Sequence, residues 1–225
     1  MTPVFARVNT SRNRNFLLEI LMIVVGINIA LWFEGWFDDL KDAETEQQYL
    51  AGLRDDLASD LKLLDSVIES NSAKLQQLSE IVPKLPDLGE ASLEVQAQAM
   101  FTPSSYYFFE PSDFTYRSMQ ESGDFRLLSD SDTKKRLLKL VRRYRLIDTL
   151  QGNFIQAMDD EYIPLMMSGF DLASARVTDP AILDNQVFTN FFAYTYQDIE
   201  TRVGVYSSAR DDARDLLELI EAQIR

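Results

Sequence analysis

Twenty-two residues near the N-terminus, Phe16 to Phe37, read FLLEILMIVVGINIALWFEGWF, and only Glu19, Asn28 and Glu34 among them are strongly polar. As a helix rising about 1.5 Å per residue this run covers about 33 Å, enough for a hydrocarbon core of about 30 Å. A core helix of a soluble protein keeps a polar face. Between Ile20 and Phe33 only Asn28 is polar, so the sequence predicts a membrane span over 16–37.

The flanks orient it. Arg7, Arg12 and Arg14 precede the run with no acid among them, whereas Asp38, Asp39, Asp42, Glu44 and Glu46 come after it with only Lys41. Positive residues stay on the cytoplasmic side, so 1–15 is expected inside as a basic tip and 38–225 outside. Trp32 and Trp36 suit the outer interface as anchors. A cleavable signal peptide needs small residues at −3 and −1 of a cleavage site, and Ala30 would have Asn28 at −3, so an uncleaved signal anchor is expected. That places the chain in a bacterial inner membrane, with the lipid bilayer as its first partner.

Glu19, Gly26, Ala30 and Phe33 share one helical stripe, and Gly26 with Ala30 makes a small-xxx-small pair that lets a second helix come close. Asn28 lies about 180° round from Glu19, so one partner helix cannot cover both. Two uses remain open. The helix packs with others, a second copy or another membrane protein, with Glu19 and Asn28 hydrogen-bonded across the interfaces. Alternatively it is a lone anchor with Glu19 reaching back to the cytoplasmic interface.

Composition matters chiefly beyond the span. The 225 residues carry a formal charge of −14, and the acidity lies past Trp36, so nucleic acid is not an expected partner. Neither Cys nor His occurs, which excludes a thiolate nucleophile, an imidazole base and any Cys/His zinc site. No cofactor or metal site is expected. The carboxylate groups Asp55, Asp56 and Asp60, then Asp159, Asp160 and Glu161, then Asp211, Asp212 and Asp215 follow no EF-hand pattern, and they are expected on solvated helix faces. The chain is therefore expected not to be an enzyme.

Helical periodicity dominates the rest and predicts an all-α protein. Leu50, Leu53, Leu57, Leu61, Leu64, Ile68, Leu75, Leu78 and Val82 step by threes and fours, with Asn71 at the one missing step, and no Pro intervenes before Pro83. The membrane helix should run on as a stalk within an antiparallel bundle, with a hinge at Asp38 or Gly52 as the other option. A short helix is expected over 91–101 with loop around it. The aromatic run containing Tyr106, Tyr107, Phe108 and Phe109 either plugs the end of the bundle or forms an exposed docking patch. Ser112 or Asp113 should cap a short helix ending at Gly123. A central helix is expected from the caps at 129–132 to a break near Pro164. Its basic run KKRLLKLVRRYR should neutralise acidic neighbours. A last helix, capped at Thr178 or Asp179 with Pro180 at its first position, should carry a seam through Phe192, Tyr196, Ile199, Val203, Tyr206, Arg210, Ala213, Leu217, Ile220 and Ile224 and return antiparallel to the stalk. An intermolecular coiled coil is the competing use of that seam.

The stretches LLEILMIVVGINIALWFEGW, YLAGLRDDLASDL and TYRSMQESGDFRLLSDSDTKKRLLKLVRRY resemble a family of bacterial membrane proteins known only as a domain of unknown function. Glu19, Gly26, Ala30, Trp36, Tyr49, Leu50, Ser122 and Gly123 match its pattern, whereas Asn28 and 33–35 depart from it. The resemblance covers about 16–70 and 113–145. It implies a bacterial envelope protein with one membrane pass and brings no activity, substrate or catalytic residue. The expected role is a non-enzymatic assembly or protein-interaction component. The alternative is an accessory subunit of an ion-coupled membrane complex using Glu19, by loose analogy with single-pass subunits that carry a membrane carboxylate.

Overall fold

The computed structural model describes the backbone from Thr10 to Ile224 and side chains from Glu19 to Ile224; of the basic tip at 1–15, residues 1–9 and the remaining side chains lie outside the described residues. Among the described residues the protein is all-α apart from one hairpin of two-residue strands, Phe170–Asp171 against Arg176–Val177. Helix α1 spans Thr10–Ile81, and Pro83 comes directly after the point where the helix stops. Residues up to Gln48 and residues from Tyr49 form two compact units. In the first, every residue from Glu19 to Glu44 is exposed.

The second unit contains three hydrophobic clusters. Its buried positions on α1 alternate steps of three and four from Leu50 through Leu57, Asp60, Leu64, Asn71 and Lys74 to Ile81. Helix α4 (Ser131–Ala157) repeats the pattern through Thr133, Leu137, Leu140, Ile147, Gln151 and Phe154, and α6 (Gln186–Glu221) through Phe188, Phe192, Thr195, Ile199, Arg202 and Tyr206 to Ile220. A mean step of 3.5 is the seam of a left-handed bundle. At one end Leu53 and Leu57 meet Leu137, Leu140, Leu216 and Ile220; at the other, Leu78 and Ile81 meet Phe154, Phe188 and Phe192. So α1 and α4 run parallel and α6 antiparallel to both, the α6 return against the stalk being the one the periodicity predicted.

The fourth element is not a continuous helix. After Ile81 the chain makes a 3-10 segment, Val82–Glu90, around Pro83 and Pro86, where loop was expected, and then α2, Leu93–Ser104, capped by Ser92. Residues 105–113 form an extended strap that descends beside α1 and leads into α3, Phe114–Ser122, which ends on Gly123 in the left-handed region at φ 78°. The aromatic run therefore lies along the flank of the bundle and does not plug its end.

Two further boundaries differ from expectation. Pro164 does not end the central helix. A π-helical turn at Met158–Tyr162 absorbs the missing N–H, and α5 continues over Ile163–Gly169. Asp179 and Pro180 open only a 3-10 turn, Pro180–Ile182, and Asn185 caps α6 by accepting from Val187 N at 2.8 Å. The last seam also shifts by one residue at alternate steps. Thr195, Arg202, Ala209 and Leu216 are buried in place of Tyr196, Val203, Arg210 and Leu217.

Candidate functional site

Two features in separate units stand out. The first is the apolar segment, whose best 18-residue window has a mean hydropathy of 1.9 with none of it buried, long and apolar enough to cross a membrane. Glu19, Gly26, Asn28 and Ala30 are all exposed on it, and a Cβ at Gly26 would meet nothing within 4 Å. Asn28 Nδ2 donates to Val24 O at 2.7 Å, so one amide hydrogen is satisfied within its own helix. Trp32 stacks on Trp36 at 6.3 Å, and Phe33 and Phe37 complete an aromatic cluster at this end of the run.

The second is the strap and the groove beside it. Side chains of α1, taken in descending order, bind strap backbone in ascending order. Lys74 Nζ donates to the carbonyls of Pro103, at 3.0 Å, and Ser105; Asn71 Nδ2 donates to Tyr107 O at 2.9 Å. Asp60 Oδ1 accepts from Ser112 N at 2.7 Å, and Asp56 Oδ2 from Thr115 N at 3.1 Å. From the opposite wall Gln151 of α4 takes both backbone groups of Phe109, accepting from its N at 2.9 Å and donating to its O at 3.1 Å, as a neighbouring strand would. These pins fix one register, because each buried polar group would lose its partner on a slip. Gly52 permits the close approach of α3: a Cβ there would sit 2.7 Å from Thr115 Oγ1.

The four aromatics divide. Phe109 is buried, Phe108 is half-buried against Phe154, and Tyr106 and Tyr107 are exposed. Phe154 also carries two buried cations, with Arg202 Cζ 5.0 Å and Lys74 Nζ 5.5 Å from its ring centre. Burial and the neighbouring Arg202 push the Lys74 amine down to about 7, against the pull of Asp198. Asp198 pairs with Arg202 Nε at 2.7 Å.

Between the strap, α1 and α4 lies a cleft of ≈ 590 Å³. Asp60, 2% exposed, faces it and corrects the expectation of a solvated carboxylate. Tyr144 donates to its Oδ2 at 2.8 Å. Burial raises the Asp60 pKa, opposed by the bonds from Ser112 and Tyr144, and Asp56 one turn away raises it further. Burial and Asp60 together push the Tyr144 phenol up, so this pair holds a proton in a hydrogen bond and shows no activated nucleophile. Asp212 is also no solvated acid, since Lys139 and Arg143 of the basic run each reach it at 2.7 Å, as charge neutralisation predicted. No group of three or more acidic side chains among the described residues is placed to hold a metal ion.

Comparison with known sequences bears on both features, because one match runs from Glu19 through α1, the strap and α4 into the start of α6. The chain belongs to the DUF6090 family of unknown function, matched over residues 19–192. No curated protein and no solved structure matches it. The DUF6090 match takes in the whole lining of the cleft and the apolar run from Glu19 on, and stops short of Arg202. It carries no activity to transfer.

Lys74, Arg202, Gln151 and Tyr144 were not recognisable as site residues from the sequence. One signal was present: Asn71 occupies a seam position, where a polar residue marks a specific partner and fixes register.

Proposed function

We propose that this chain is a single-pass inner-membrane protein of the bacterial envelope, with 1–15 in the cytoplasm, 16–37 spanning the bilayer and 38–225 outside as a non-enzymatic assembly or interaction domain. The observation that supports it is the unburied apolar segment, which leaves a large apolar surface exposed to water unless lipid or another helix covers it. The Arg-before, Asp-after asymmetry supports the orientation. The two-ended hydrogen bonding of the strap, with no activated nucleophile beside it, favours a binding role over a reaction.

A chain without Cys makes the topology test clean. In Glu221→Cys, on the exposed face of α6, the thiol should react with a membrane-impermeant maleimide in intact spheroplasts. In Thr2→Cys it should react only after lysis. The reverse labelling pattern, or labelling of both sites before lysis, rejects the orientation. Recovery as a lone monomer after mild detergent extraction and crosslinking in cells rejects the assembly role.

A further inference from the structure

The cleft arises because the strap is extended. An extended chain advances about 3.3 Å per residue against about 1.5 Å for a helix, so it brings less than half as many side chains to each ångström of the groove. Three helical seams and one strap cannot fill a four-element bundle, and the shortfall is the ≈ 590 Å³ beside Tyr144. That volume falls within the range of about 300–1,000 Å³ typical of small-molecule sites. Its floor is apolar, with Leu53, Leu57, Leu137, Leu140 and Val141.

Its charge is lopsided. Five carboxylates line it, Asp56, Asp60, Glu110, Asp113 and Asp148, against two guanidiniums, and one of these, Arg117, is committed to Asp113. Asp60 is the deepest of them. Its oxygens accept from the Ser112 backbone N, the Ser112 side chain and Tyr144, all neutral donors, and no cation among the described residues pairs with it. A buried carboxylate with accepting capacity left and no counter-ion is stabilised by any cation that reaches it.

We propose that this cleft binds a small organic cation with an apolar body, of the arylalkylammonium type, its ammonium on Asp60 and Asp56 and its hydrocarbon on the leucine floor. A neutral ligand leaves the carboxylates unpaired, and an anionic one is repelled. All lining residues belong to the Tyr49–Arg225 unit, so the site does not depend on whether the N-terminal helix spans a membrane.

Equilibrium dialysis of phenethylammonium against the full chain in lipid nanodiscs tests this. Saturable binding of one cation per chain above empty nanodiscs is expected, with 2-phenylethanol and phenylacetate at least tenfold weaker. Asp60→Asn should weaken it at least tenfold, Val141→Trp should abolish it by filling the cleft, and the exposed Asp148→Asn should weaken it about threefold. Should Asp60→Asn fail to fold, the other two variants decide. The proposal is overturned by equal retention in empty nanodiscs, by equal binding of the alcohol, or by binding indifferent to Val141→Trp and Asp148→Asn. It is also overturned if a basic peptide, acetyl-Leu-Lys-Leu-Lys-amide, binds at least tenfold more tightly at the same site, which would make the cleft a protein-docking surface.

Discussion

Helix α1 inverts its own chemistry along its length. From Glu19 to Phe37 its side chains are nearly all apolar and all exposed, whereas from Leu50 onward its buried positions include Asp60, Asn71 and Lys74. The first stretch satisfies its backbone internally and leaves an apolar surface that suits a hydrocarbon solvent. The second buries ions and amides because a strap, not a helix, lies beside it and needs partners for its backbone. Hydrophobicity alone therefore describes the environment of neither half. What a segment packs against decides which of its residues are covered.

The largest effects should separate the two regions completely. Phe154→Ala empties a position touched by two buried cations and by Phe108 and Phe191, and should destabilise the helical unit by about 3–5 kcal/mol, read as a drop in its thermal midpoint. Val25→Arg, on the exposed apolar run, should leave that midpoint unchanged. If the run spans a bilayer as proposed, it should instead reduce membrane-pelleted protein, since a mid-bilayer arginine costs about 2.5–3.5 kcal/mol. If both variants lower the midpoint together, the two regions are not independent and the contrast fails.

A smaller effect should come from Lys74. Its amine titrates near 7 in the folded protein and near its ordinary 10.5 when unfolded. Between those values the unfolded chain holds the additional proton, so stability should rise with pH across that window. Below about pH 7 both states are protonated and the slope vanishes. Lys74→Met removes the titration and should flatten the rise in denaturation measured from pH 7 to 10, with Arg202 and Asp198 still present in both proteins. Asp60 works in the opposite sense at acid pH. Its raised pKa makes stability fall as pH climbs from its ordinary 3.8 through the folded value.

Much of this was legible in the sequence. The start of α4, the end of α3 at Gly123, the antiparallel return of α6 and the neutralising role of the basic run all come from caps, periodicity and charge, although its acidic partner Asp212 does not. Beyond Leu57 on α1, and along α6, the seams were legible only at every second step. Choosing the most apolar residue selects Leu61 and Leu75 on α1 and Tyr196 and Val203 on α6, yet Asp60, Lys74, Thr195 and Arg202 take the buried positions one residue earlier. Periods of three and four place adjacent residues about 100° apart, so both candidates border the core, and only the partner across the bundle decides between them. The cleft was not legible. Asp60 meets Ser112 across 52 positions and Tyr144 across 84, and no local pattern records such pairs. The start of α6 was misplaced because Asp179-Pro180 and Asn185 are both sound caps, and only the second leads into an uninterrupted helix.

The smallest effect tests that register directly. Thr195 is fully buried on α6, and its Oγ1 has no hydrogen-bond partner among the described residues. A hydroxyl left unsatisfied in a core costs about 1–3 kcal/mol relative to one that is paired, and an apolar replacement of the same shape escapes that cost. Thr195→Val keeps the branched shape and should leave stability unchanged or raise it by up to about 1 kcal/mol in chemical denaturation. If Tyr196 held the seam position, Thr195 would face water, and the valine would change nothing while Tyr196→Ser cost several kcal/mol. With Tyr196 at 37% exposure the serine should cost less than about 1 kcal/mol. A Tyr196→Ser cost below about 1 kcal/mol beside a neutral or stabilising Thr195→Val is therefore expected only if the polar residue, and not its aromatic neighbour, faces the bundle.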